Sequence, residues 1–220
     1  LGALLLACMR PRPMVSAWGA VVLVLVIVIF YRPGEPEKLL TLSPGSPPVA
    51  RENAPELIHH AVGHSASVAV LERQGSFLIR TNGLPEAEVF SKGGASLSYT
   101  SIRWLPALPV ALRPGTRTML VVGFGGGALL EAVPRCVESI DVVELEAEVI
   151  RANKLIAHRR AIDPLQDERI NVIINDVRGA LRLTEKRYDT IVSQPSHPWT
   201  AGASHLYTKE FLELARDHLE

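Results

Sequence analysis

Gly123, Gly125, Gly126 and Gly127 stand directly after the apolar run Thr118–Val122. Glycines placed there let the backbone turn sharply and let a ligand approach the main chain without Cβ obstruction. The segment from Ala128 to about Val133 has a helix-compatible composition, and the free N–H groups of a helix starting there would attract polar or anionic ligand groups. Two carboxylates follow at telling positions. Glu144 lies about twenty residues beyond the glycines, where an acid can accept hydrogen bonds from a ribose. Asp176 ends the next apolar run, where a second carboxylate can take an adenine amino group. An adenosine-containing ligand fits this set. The alternative roles are a solvated loop acid for Glu144 and a helix N-cap for Asp176. Gly123, Gly125 and Ala128 also satisfy the relaxed dinucleotide fingerprint, which many nucleotide ligands share, so the loop alone leaves the ligand class open.

These residues are useful together only if strand ends bring them to one rim. The sequence predicts four strands: Thr118–Val122, Ser139 to Val143 ending on Glu144, Ile170–Ile174 ending on Asn175-Asp176, and 189–193 leading into Gln194. Between the second and third, a helix over 147–158 places Leu145, Val149, Ala152 and Ile156 on one face and turns Glu146, Glu148, Arg151 and Lys154 outward. A last helix opens near Thr208 and buries Phe211, Leu214, Ala215 and Leu219. Strands alternating with helices predict a parallel sheet covered on both sides, with ligands at the carboxyl ends of the strands. Ahead of this lies a β pattern at about 60–90, with Gln74-Gly75 and Asn82-Gly83 as hairpin turns. His59, His60 and His64 lie at its start, but no carboxylate or cysteine completes a metal set, and no metal is expected.

The front of the chain has another character. Residues 14–31 carry no charge and as a helix would extend roughly 27 Å, close to a hydrocarbon thickness of roughly 30 Å, so a transmembrane helix is expected. Basic residues flank both ends and leave its orientation undecided. Residues 32–56 hold six prolines among charges and should form an extended tether. The expected organisation is therefore a membrane segment at 1–31, a Pro-rich linker at 32–56, a small β domain at 57–105 and a nucleotide-binding α/β domain at 106–220. The chain starts without Met and stops inside a helical pattern, so a fragment is expected, with the C-terminal part of the fold missing. Across 220 residues, 23 Lys and Arg balance 23 Asp and Glu. That balance gives no electrostatic footprint for nucleic acid. Cys8 and Cys136 are expected as reduced thiols.

The stretches LVVGFGGGALLEAV, SIDVVELEAEVIRANK, INDVRGAL and YDTIVSQPSHPW with GASHLYTKEF resemble the polyamine aminopropyltransferases, the spermidine synthase family, and especially its membrane-fused bacterial relatives. The resemblance covers roughly residues 67–220. It implies a class I methyltransferase-like (Rossmann-like) fold preceded by a small antiparallel β unit. It also implies that the glycine loop and Glu144 hold the ribose of S-adenosylmethionine or its decarboxylated form, and Asp176 the adenine. The family's acids are absent. An aspartate of the glycine loop is replaced by Gly126, and the paired aspartates after the fourth strand fall on Gln194 and His197. Of these replacements, His197 is the one able to act as a base, because its unperturbed pKa is near 6.5.

Three function classes follow. The first is a membrane-tethered transferase moving an aminopropyl group to an amine. The second is a catalytically silent nucleotide-sensing domain on a transporter-like membrane part. The third is an NAD-dependent oxidoreductase. The expected partners are a small-molecule amine or other acceptor and membrane lipid along 14–31, with a homo-oligomer left open. The folded domain is expected on the cytoplasmic side of an inner or plasma membrane, because the cosubstrate is made there.

Overall fold

The computed structural model describes residues 13–30, 55–92, 100–195 and 203–220. Most of the Pro-rich linker, Cys8 and His197 lie outside the described residues. The chain divides into two compact units, 1–38 and 39–220.

The first unit contains helix α1, Pro13–Phe30, whose side chains from Val21 to Phe30 are exposed. Among the described residues, no helix is long and apolar enough to cross a membrane. The expected span over 14–31 finds no support among the described residues.

In the second unit, alternating sequence gives an antiparallel meander. It comprises β1 (Glu56–Val62), β2 (Ser67–Arg73), β3 (Ser76–Thr81) and β4 (Leu84–Phe90), paired in that order. The turns at Gln74-Gly75 and Asn82-Gly83 have φ of 44° and 83°, and of 52° and 77°. Two successive left-handed residues match the twist of the flanking strands and fix the register. Val68, Val70, Phe77, Ile79 and Val89 form the buried face.

Continuous apolar runs give the parallel sheet: β5 (Thr118–Val122), β6 (Ser139–Glu144), β7 (Ile170–Ile174) and β8 (Thr190–Ser193), in the order β7-β6-β5-β8. Such strands lack alternation because both faces are covered. One face packs on Phe124, Leu130, Val137 and Ile150, the other on Val177, Leu181, Tyr188 and Phe211. The remaining helices are α2 (Thr100–Leu112), α3 (Ala147–Ile156), α4 (Val177–Arg182) and α5 (Lys209–Asp217). Helix α2 carries Pro106 and Pro109 internally, and Ile102 and Val110 pack on the face of the parallel sheet that holds Phe124, Leu130, Val137 and Ile150. Strand order reverses between β5 and β8, which is where an open sheet of this kind leaves a crevice.

Two local expectations are corrected. Residues 128–133 form no α-helix; after two turns there is only a 3-10 turn at Leu130–Ala132. Gly127 at φ 78° stops a helix from starting earlier. Pro134 drives Val133 to an extended ψ of 124°. Too few residues remain between them to nucleate a helix. The second correction concerns α3. Val149, Ala152 and Ile156 are buried as expected, but against the antiparallel sheet, while Ile150 reaches the parallel-sheet core. Sandwiched this way, α3 exposes Leu145 and buries Glu146 and Glu148.

Candidate functional site

Gly123 to Gly127 leave β5 at the switch point and line a cleft of about 250 Å³ with Pro85 to Glu88 of β4, Ile102 of α2, and Gln194 and Pro195 after β8. The loop is folded back on itself by Gly127 N–H donating to Phe124 O at 2.8 Å. Three buried side chains then hold it from behind. Glu144, at the end of β6, accepts Phe124 N–H at 2.8 Å through one oxygen and Glu146 N–H at 3.0 Å through the other. Asn153 on α3 donates to Gly125 O at 2.8 Å and to Val149 O at 2.9 Å. Arg160 donates to Gly126 O at 2.8 Å, to Glu131 Oε1 at 2.7 Å and to Asn153 Oδ1 at 3.0 Å. Among the described residues, no hydrogen bond uses the N–H of Gly125 or Gly126.

The glycine at 126 is required by contact. A Cβ there would lie 2.8 Å from Ala87 Cβ and 2.9 Å from Val89 Cγ2, so β4 occupies the space a side chain would need. At Gly127 a Cβ would sit 2.6 Å from Pro164 Cγ and 3.3 Å from Arg160 Nη2. The loop is thus fitted between the antiparallel sheet and the α3 segment.

The structure brings Gly123, Gly125, Gly126, Gly127 and Gln194 to one cleft, with Glu144 bonded to the loop from beneath. Asp176 stands apart from the cleft lining. It caps α4 by accepting Arg178 N–H at 2.9 Å and pairs with the Arg178 guanidinium at 2.6 Å. Hydrogen bonding to that side chain holds its carboxyl below the usual range, against the opposing effect of burial. Among the described residues there is no group of three or more His, Cys, Asp and Glu able to hold a metal.

Three residues behind the loop escaped sequence reading: Glu146, Asn153 and Arg160. Glu146 is the N-cap of α3, and its second oxygen accepts Ser65 N–H at 2.8 Å, Ser65 Oγ at 2.9 Å and Ala66 N–H at 3.1 Å across the β1–β2 turn. Burial alone would raise its pKa, but these donors outweigh burial and lower it. Gly63 faces the same carboxylate so closely that a Cβ would lie 2.1 Å from it. The one hint in the sequence was position, since Glu146 precedes a helix where a capping acid is common.

The profile of the Spermine/spermidine synthase domain matches residues 101–220. Among curated relatives, the polyamine aminopropyltransferase of Buchnera aphidicola subsp. Acyrthosiphon pisum is 29% identical over 53% of this chain and 41% of its own. That of Clostridium botulinum (strain Alaska E43 / Type E3) is 33% identical over 47% of this chain and 37% of its own. That of Methanocaldococcus jannaschii is 36% identical over 47% and 36%. The chain spans about two fifths of the length of the curated relatives it matches. In fold it is similar to a spermidine synthase solved in complex with the transition-state analogue AdoDATO (TM-score 0.65, 20% identity, 75% of this chain and 55% of the other). It is likewise similar to spermidine synthase from Thermotoga maritima (TM-score 0.62, 20% identity, 75% and 54%). With more than half of its residues matched by the family profile and the parallel sheet, preceding meander and glycine loop in place, this chain belongs to the spermine/spermidine synthase family.

Proposed function

We propose that this domain binds S-adenosylmethionine or its decarboxylated form at the glycine loop and, from the decarboxylated form, transfers an aminopropyl group to a small amine. The observation that carries the reading is the loop itself: it lies at the switch point, is fixed from behind by Glu144, Asn153 and Arg160, and opens on a cleft shared with Gln194. Both Glu144 oxygens are already engaged by backbone donors. Each keeps a further lone pair for a ribose hydroxyl. Asp176 would meet the adenine amino group with the capacity left over from Arg178.

In the transfer, the amine nitrogen attacks the methylene carbon beside the sulfonium, the C–S bond breaks, sulfur leaves as a neutral thioether, and the nitrogen sheds a proton. An amine with a pKa near 10.4 is about four parts in ten thousand neutral at pH 7, and a positioned base contributes about 10²- to 10⁴-fold. Gln194 cannot take that proton. His197 is the residue of this chain proposed to accept it. The domain would act on the cytosolic side, where the cosubstrate is made.

A second reading, a silent nucleotide sensor, draws on the neutral Gln194 and on the packed position of Gly126. Isothermal titration with S-adenosylmethionine, its decarboxylated form and NAD is the first test. Micromolar binding of either adenosyl compound, with none of NAD, is expected; binding of NAD alone would sink both adenosyl readings. Product analysis with candidate diamines then separates transfer from sensing.

A further inference from the structure

We propose that Arg160 is a positioning residue for the glycine loop, acting as a strut between the antiparallel sheet and the loop's carbonyl groups. The inference rests on the reading that the loop holds the adenosyl cosubstrate.

The Arg160 side chain is 1% exposed, yet it reaches three acceptors from three different elements: Gly126 O, Glu131 and Asn153 Oδ1. Asn153 in turn holds Gly125 O. Two consecutive loop carbonyls are therefore engaged on the side of α3, and the loop meets the cleft with the N–H groups of Gly125 and Gly126 uncommitted among the described residues. The other end of the strut is also fixed. Ser91 bridges Arg160, Lys92 N–H donates to Arg159 O at 2.9 Å, and the Arg159 guanidinium pairs with Glu72 while lying 4.6 Å from the centre of the Phe77 ring. Consecutive residues 159 and 160 thus couple strands β2 to β4 to the loop.

A planar guanidinium suits this place. It presents several donors in a fixed fork, so one side chain can serve a carbonyl, a carboxylate and an amide oxygen together. A lysine ammonium would keep the charge and lose that geometry. At Gly127 the bar to a side chain is the φ of 78° and Pro164 Cγ, 2.6 Å from where a Cβ would lie, with Arg160 Nη2 a lesser contact at 3.3 Å.

The test compares the full chain with Arg160→Lys and Glu131→Gln by hydrogen exchange at residues 124–127, thermal unfolding, and titration with decarboxylated S-adenosylmethionine. In Arg160→Lys the loop amides should exchange faster while amides of β2 and β3 stay unchanged. Cosubstrate affinity should fall about tenfold, as for one lost charge-assisted hydrogen bond, with affinity for the amine acceptor unaltered. Glu131→Gln should move the same readings in the same direction by less. If Arg160→Lys fails to fold, Glu131→Gln decides by the same measurements. Unchanged loop exchange in a folded variant, or a loosened loop with undiminished cosubstrate affinity, overturns the proposal. A natural chain that binds no adenosyl compound would overturn the proposed function instead, and loop exchange would still decide whether Arg160 sets the loop.

Discussion

The ends of β5 and β8 share one cleft, but they are fastened to the molecule in different ways. After β5, successive loop residues are gripped by Glu144, Asn153 and Arg160, all buried. After β8, Gln194 is exposed, and the hold found on Gln194 and Pro195 among the described residues is the Tyr207 hydroxyl on Pro195 O at 3.0 Å. One wall of the cleft is determined by the fold. The other can change its side-chain chemistry at little cost to the fold. The two positions at which the resemblance would place family acids differ in the same way: β4 leaves no space at Gly126, whereas Gln194 is exposed.

The largest expected effect tests the packed wall. Gly126→Asp should not restore aminopropyl transfer and should lower stability by about 3 kcal/mol or more, from overpacking against Ala87 and Val89 plus a carboxylate out of water. A variant that melts at the natural temperature would break the comparison. Next, Gly63→Ala pushes the Glu146 carboxylate off Ser65 and Ala66, with an expected loss of about 1 to 3 kcal/mol in denaturant unfolding.

Glu144→Ala against Gln194→Ala sharpens the contrast in binding. The first removes a charge-assisted partner worth roughly 1.5 to 3 kcal/mol and leaves Phe124 N–H buried without an acceptor, so cosubstrate affinity should fall by about ten- to a hundredfold. The second should change it by less than about threefold, within the usual range of an exposed substitution. Equal losses in calorimetry would remove the ribose role from Glu144.

Strands and turns were legible in the sequence because their signals are local: apolar runs, alternation, and left-handed turn residues such as Gln74 and Asn82. Glu146, Asn153 and Arg160 were not. Helical periodicity turns Glu146 outward, but its donors at Ser65 lie 81 residues away, and Arg160 meets Gly126 across 34. A second apolar sheet beside α3 changes which face is inside, and nothing within the helix announces it.

Two smaller effects follow. Because the Glu146 pKa is lowered in the folded state, its contribution should be complete above the ordinary glutamate range and vanish as pH falls through the native value. The stability gap between the natural chain and Glu146→Gln should therefore close on acidification; a constant gap would mean that charge plays no part. Smallest in stability is Gln194→Asp, within about 0.5 kcal/mol. Combined with His197→Asp it should raise aminopropyl transfer more than either change alone, since both act on one substrate. Equal rates in single and double variants would count against lost acids as the cause.

The sandwiched helix α3 also bears on biosynthesis. The meander is complete at Phe90, yet Val68, Val70, Phe77, Ile79 and Val89 are covered by Val149, Ala152 and Ile156. At a ribosomal rate of about 5 to 20 residues per second, the 66 residues from Phe90 to Ile156 take roughly 3 to 13 s to appear. For that interval a nascent chain carries a finished sheet with one bare apolar face. Early capture by a chaperone, or pairing of two such faces on neighbouring ribosomes, would compete with the arrival of α3.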